Sequence, residues 1–221
     1  MTTKDRILDT ATALFNEATT GEVSTNHIAK AVGISSGNLY YHYANKEAII
    51  RAILERMFTA FGEVWVLPND RKVTLADVQN TISQLFEVLW RFRFFYREQL
   101  ALMRRDPELA ARHQQMQGQR IGEQELFFQR FVEDGVFKEP EDPSNFRAII
   151  TACWVVANNW LSFVETSGEA VGTAQSGRGV DLILRIMEPY LSETALASQV
   201  TLKGERYDQA RSKQTSIKDQ P

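Results

Sequence analysis

Residues 24–47 of this chain, STNHIAKAVGISSGNLYYHYANKE, hold two short helical patterns hinged on one glycine. Ile28, Ala29 and Val32 share one face of a first helix. Gly33 stops that helix, because glycine enters the left-handed region at the C′ position with no Cβ penalty. Ile34 is an apolar anchor in the turn, and Ser35 is a good N-cap for a second helix from Ser36. Two helices joined by so short a glycine-containing turn make a helix-turn-helix, whose second helix can enter the DNA major groove.

The wider run is more specific. Ile28-Ala29-x-x-x-Gly33-Ile34-Ser35-x-Gly37-x-Leu39-Tyr40-Tyr41-His42-Tyr43-x-x-Lys46-Glu47, with Arg6-Ile7-Leu8-x-x-Ala11-x-x-Leu14-Phe15 upstream, resembles the DNA-binding signature of the TetR family of bacterial repressors. The resemblance covers roughly residues 3–56; beyond it the chain shares only helicity and length. Where that family places Gly and then an aromatic after the Phe of its first helix, this chain has Thr19 and Thr20.

The resemblance implies an all-α fold: a three-helix DNA-binding unit over 1–47, a linking helix over 45–66, and a helical ligand-sensing and dimerisation unit over 48–194. It implies that Thr25, Ser35, Asn38, Tyr41, His42 and Lys46 hold phosphates, while Ser36, Gly37 and Tyr40 lie nearest the bases. The chemistry agrees. Gly37 removes a side chain where backbone and base must approach, Asn38 offers a donor and an acceptor, and Tyr40 offers a ring and a hydroxyl. Structural roles compete: Ser35 caps any helix after such a turn, Leu39 and Tyr43 suit a core, and Tyr41 could pack between helices.

Charge tempers the expectation without removing it. The 221 residues carry a net charge of −3. Residues 1–56 hold six cations and six acids, but 25–51 hold Lys30, Lys46 and Arg51 against Glu47 alone. Phosphate affinity must lean on neutral donors and helix N-termini as well as cations, which gives a shallow salt dependence. The single cysteine, Cys153, rules out an internal disulfide framework and fits a reducing cytoplasm. Its place in an apolar helix reads as a small buried hydrophobe rather than a redox sensor. No apolar run reaches the ~18 residues of a membrane span, and no signal-peptide pattern opens the chain. His27, His42 and His113 show no metal-ligand spacing, and no cofactor is expected.

Helical periodicity continues through the rest. A helix over 3–18 precedes the motif, and one from Asn45 runs on to a stop near Pro68. The stretch 67–72 (LPNDRK) is a boundary. Thr74 caps a helix whose apolar residues extend from Val78 to Phe94. Asp106-Pro107 opens a helix to about Asp134, and Asp142-Pro143 opens one to Gly168. Four glycines make 168–179 a loop before a last helix over 180–190, and 195–221 reads as a flexible polar tail.

The body is rich in aromatics, which fit either a plain packed core or an apolar ligand cavity. Asn158-Asn159 inside ACWVVANNWLSFV favours a cavity, since a buried amide needs a partner; a ligand or a facing helix would serve. Phe86, Trp90, Phe94, Met103, Phe127, Phe131, Trp154 and Asn158 are the candidate lining. Arg91, Arg93, Arg97, Arg104 and Arg105 form either a solvated face or a carboxylate site. The expected protein is a cytoplasmic homodimer. It reads an inverted repeat in double-stranded DNA as a repressor and is released by a small hydrophobic or amphipathic ligand. An activator or architectural DNA binder of the same fold is the alternative. A helical enzyme is disfavoured, for no nucleophile–base pair, paired carboxylates or phosphate loop is present.

Overall fold

The structure, a computed structural model, describes residues 1–142, 144–169 and 172–198. Among these there is no strand, and the bounded α-helices are α1 Thr3–Glu17, α2 Thr25–Val32, α3 Ser36–His42, α4 Lys46–Val64, α5 Leu75–Arg91, α6 Arg93–Arg105, α7 Pro107–Glu133, α8 Ser144–Thr166 and α9 Thr173–Met187. A 3-10 turn, Glu188–Tyr190, follows α9. The fold is all-α, as the sequence implies.

Helix ends follow local chemistry. Thr2 and Asp5 make a reciprocal capping box on α1, and Asn45 accepts the Ala48 N–H at 2.8 Å to start α4. Asp106 accepts the Leu109 N–H at 3.1 Å ahead of the N1 proline of α7. Helices α1 to α3 close over Ile7, Ala11, Phe15, Ile28 and Leu39, all inaccessible to solvent. Helix α4 carries that core into the body, where α5 packs on α9, α8 on α9, and α7 on α8.

The structure departs from the expectation in three places. First, the helix expected to run unbroken from Thr74 to Phe94 breaks at Phe92. The Asn16 side chain takes both backbone groups freed there: its Nδ2 donates to the Arg91 carbonyl at 2.8 Å, and its Oδ1 accepts the Phe94 N–H at 3.0 Å. No proline or glycine marks the break, because its cause lies in α1. Second, much of the expected 168–179 loop is helical, with Gly172 as the N-cap of α9. A Cβ built on Gly179 would lie 2.4 Å from Phe86 Cε1 and 2.8 Å from Trp160 Cδ1, so this glycine serves close packing and not a turn. Third, residues 193–198 are helical and Ala195 is buried, so residues 195–198 are not part of a flexible tail. Pro143, residues 170–171 and residues 199–221 of the expected elements lie outside the described residues.

Helix α8 is long and apolar enough to cross a membrane by length and composition, with a mean hydropathy of 1.2. The absence of an unbroken apolar run had not suggested this. It packs against α6, α7 and α9 and leaves Val155 and Phe163 more than half exposed.

Gly179→Ala is expected to lower unfolding free energy by about 1–2 kcal/mol, since overpacking against two buried rings outweighs the helix-propensity gain. Gly177→Ala, with nothing within 4 Å of its Cβ, is expected to raise it by about 0.5–1 kcal/mol. Urea midpoints of the two variants check both signs.

Candidate nucleic-acid interface and body cavity

Helices α2 and α3 present one polar face. Gly33 sits at φ +78° and its N–H reaches the Ala29 and Lys30 carbonyls, while Ile34 N–H returns to Ala29 at 3.0 Å. Those bonds end α2 and aim the chain into α3. Ser35 Oγ accepts the Asn38 N–H at 3.1 Å, so it is a helix cap whatever else it touches. Ser36 Oγ donates to Asn26 Oδ1 at 2.8 Å, and Thr25 Oγ1 lies 3.0 Å from the Tyr40 hydroxyl. Those two links hold the N-terminal ends of both helices together.

Of the nine residues assigned to DNA, Ser35, Ser36, Gly37, Asn38, Tyr40 and Tyr41 are exposed; Thr25, His42 and Lys46 are partly covered. Tyr41 is 84% exposed and meets only the edge of His42, so it does not pack between helices. Leu39 is core, as expected. Gly37 has no fold reason for being glycine: its φ is not positive, and the nearest atom to a built Cβ is Ser35 Oγ at 4.0 Å.

The cations behave differently from their count. Lys46 Nζ donates to the carbonyls of Thr20 and Val23, bracing the loop before α2 and leaving one proton for an outside acceptor. Arg51 reaches Asp106 Oδ2 at 2.7 Å, pinning α4 to the cap of α7 instead of facing outward. Thr20, at the position where an aromatic was expected, is buried; its N–H and hydroxyl both donate to Glu98, at 2.8 and 2.6 Å. Sequence reading missed that contact because Glu98 lies 78 residues away.

In the body a cavity of about 70 Å³ lies between α4, α5, α6, α7, α8 and α9. Its apolar wall includes Met57, Phe58, Ile82, Leu89, Ile183 and Met187. Of the eight expected lining residues, Trp154 and Asn158 are there, and the other six are not. Phe86 packs against Gly179. Phe94 packs on Phe15 at 5.3 Å. Phe127 meets Trp65 edge-on at 4.9 Å, and Phe131 lies between Phe127 and Phe137. Trp90 sits beneath the Arg93 guanidinium, and Met103 is only partly buried. Those aromatics are the plain packed core. Asn159 is exposed and donates to the Val155 carbonyl, so only one of the paired amides faces the cavity.

The arginine group is not a cavity feature either. Arg97 pairs with Glu165 and donates to the Asn16 carbonyl, while Arg104 and Arg105 face solvent. Besides Asn158, the polar residues that line the cavity are Tyr96, His113, Gln117, Arg120 and Gln124, none of them a candidate lining residue from sequence. A signal existed: His113, Arg120 and Gln124 fall on the same helical stripe of α7 as Leu109, Met116, Phe127 and Phe131. Burial pushes the His113 pKa down, favouring the neutral ring, and raises that of Tyr96.

Cys153 also lines the cavity, and burial pushes its thiol up to about 12. At pH 7.5 iodoacetamide is therefore expected to label the folded chain at least about a hundredfold more slowly than the urea-unfolded chain. Comparable rates, read by mass spectrometry, would contradict a buried inert thiol.

Comparison with known proteins agrees with this geometry. Residues 7–53 match the family model described as "Bacterial regulatory proteins, tetR family", and residues 56–198 match the TetR model described as "Bacterial transcriptional repressor". The chain is 36% identical over 91 residues to the biofilm operon icaADBC HTH-type negative transcriptional regulator IcaR of Staphylococcus epidermidis, covering 41% of this chain and 45% of that protein. It is 29% identical over 100 residues to the IcaR of Staphylococcus aureus strain Newman, covering 45% and 50%. The chain thus spans about half the length of the curated relatives it matches. Among solved structures, a TetR-family transcriptional regulator from Marinobacter aquaeolei VT8 superposes with a TM-score of 0.82 at 29% identity, over 93% of this chain and 98% of that one.

Proposed function

The chain belongs to the TetR family of bacterial transcriptional regulators, and from that premise we propose that it is a homodimeric repressor that leaves its operator when the body cavity fills. Gly37 carries the DNA half of this reading. A glycine inside an exposed helix costs roughly 1 kcal/mol against alanine, and nothing in the fold requires one there. A close approach from outside does: Ser36, Gly37 and Tyr40 face base edges, while Thr25, Ser35, Asn38, Tyr41, His42 and the remaining proton of Lys46 meet phosphates. The negative regulators named among its relatives support repression over activation. They equally favour regulation over turnover, and a chromosomal operator places the work in the cytoplasm.

One α3 reads too few base pairs for a unique site, so two copies must pair. The exposed apolar residues Val155 and Phe163 on α8 and Leu182 on α9 support those helices as a self-complementary face. Release follows from where the cavity lies. Its wall includes Met57 and Phe58 of α4, the helix that carries the reading head. At about 70 Å³ it is well below the roughly 300 Å³ of a typical small-molecule site, so a ligand must part its walls. The parted form has a moved α4, which gives the ligand different affinities for two states.

Selection from a randomised duplex library, followed by anisotropy titration of the winners, is expected to return an inverted repeat. No enrichment, even after unfolding and refolding to strip a bound molecule, would defeat the proposal. On the selected duplex, Gly37→Ala should weaken binding at least tenfold, about 1.4 kcal/mol, while raising thermal stability. Weakened binding with unchanged or lowered stability would leave the glycine unexplained. Phe163→Glu is expected to give a folded monomer by light scattering, with operator affinity lost.

A further inference from the structure

The cavity has a polar edge whose donors are empty-handed. Arg120 and Gln124 stand one turn apart on α7, and Trp154 and Asn158 one turn apart on α8, with α7 and α8 packed together. Arg120 Nε and Trp154 Nε1 are buried with no hydrogen-bond partner. Gln124, 7% exposed, and Tyr96, 9% exposed, likewise have none among the described residues. Buried donors in folded chains are nearly always satisfied, and leaving one unpaired costs free energy. Two unpaired N–H groups, with a free amide and a free phenol around one apolar space, mark a place for an outside acceptor.

The charge of that acceptor is constrained too. Arg120 is the single charged side chain among the lining residues. Its Nη1 already donates to Glu123 Oε2 at 2.8 Å and its Nη2 to the Phe58 carbonyl at 2.9 Å. An incoming carboxylate would meet a guanidinium already neutralised by Glu123 and would lose its own hydration in an apolar space. An uncharged oxygen meets no such penalty. We propose that the cavity recognises an uncharged, largely apolar molecule through an acceptor oxygen, a carbonyl or hydroxyl, held by Trp154 Nε1 and Arg120 Nε. The flat body of that molecule lies against Phe58, Ile82, Leu89 and Met187, and Gln124 can serve either a second acceptor or a donor on the same edge.

The proposal rests on the cavity being the ligand site, and the test keeps the two ideas apart. Three matched probes suffice: naphthalene, the uncharged ketone 2-acetonaphthone, and the anion 2-naphthoate. Calorimetry on the full chain should show the ketone binding about tenfold tighter than naphthalene, the worth of one well-placed hydrogen bond. Naphthoate should bind more weakly than the ketone. Trp154→Phe, which keeps a ring and removes the donor, should erase the ketone's advantage over naphthalene measured on the same variant. On the unmodified protein, the infrared carbonyl band of the bound ketone should lie below its position in hexane.

Equal affinities for ketone and naphthalene, naphthoate as the tightest ligand, no saturable binding of any probe, or a carbonyl band unshifted from hexane would each overturn the assignment. Release of the selected duplex by all three probes alike would sink the acceptor assignment and keep ligand release. Acceptor-dependent binding that leaves the duplex in place would do the reverse.

Discussion

One buried side-chain amide, that of Asn16, holds the reading head against the body. It satisfies the carbonyl of Arg91 and the N–H of Phe94, the two groups exposed where α5 gives way to α6. Each of those groups, left buried and unpaired, would cost roughly 1–3 kcal/mol. The direction of α6 is therefore set from α1, and with it the placing of Tyr96 in the cavity wall and of Glu98 beneath Thr20. Phe94 against Phe15 seals the junction from water, and Arg97 extends it from the Asn16 carbonyl to Glu165 on α8. A low-dielectric seam of this kind is stiff, because no member can leave without stranding another.

Helix α4 makes the second connection. It buries Ile49, Ile53, Leu54 and Met57 in the core and pairs Arg51 with the buried Asp106. At its solvent edge it adds ion pairs of Arg56 with Asp9 and of Glu55 with Arg112. Exposed pairs of this sort contribute roughly 0–1 kcal/mol each and are screened by salt. The hold of α4 is therefore mainly its buried apolar face, and the surface pairs add little to it. The same helix lends Met57 and Phe58 to the cavity wall.

How much of this was legible in the sequence depended on how local the cause was. The turn at Gly33, the Ser35 and Asn45 caps and the Asp106-Pro107 start depend on residues within one helical turn, and each stands where expected. The break at Phe92 is imposed by a residue 75 positions away, so no local signal could mark it. Gly179 was read as a loop residue because composition cannot distinguish a glycine that turns from one that lets Phe86 and Trp160 approach. The cavity was sought among aromatics, but Phe86, Phe94, Phe127 and Phe131 pack on other rings or on backbone and leave no space. The informative residues were the polar ones on a buried stripe, since a packed core has no use for Gln124 or Arg120.

Arg120 joins these observations. Its Nη2 holds the carbonyl of Phe58 on α4, and a Cβ on Gly62 would lie 3.0 Å from that nitrogen, so a larger residue there would crowd the guanidinium. Its Nε remains unpaired in the cavity wall. A guanidinium is a rigid plane, so a ligand that draws Nε toward itself must also turn Nη2. The hydrogen bond to α4 and the bond to a ligand therefore compete for one orientation. In the structure the first is made, and Nε has no partner. A ligand shifts an equilibrium only through contacts that differ between two states, and Arg120 is the one charged lining residue whose guanidinium spans both the α4 backbone and the cavity wall.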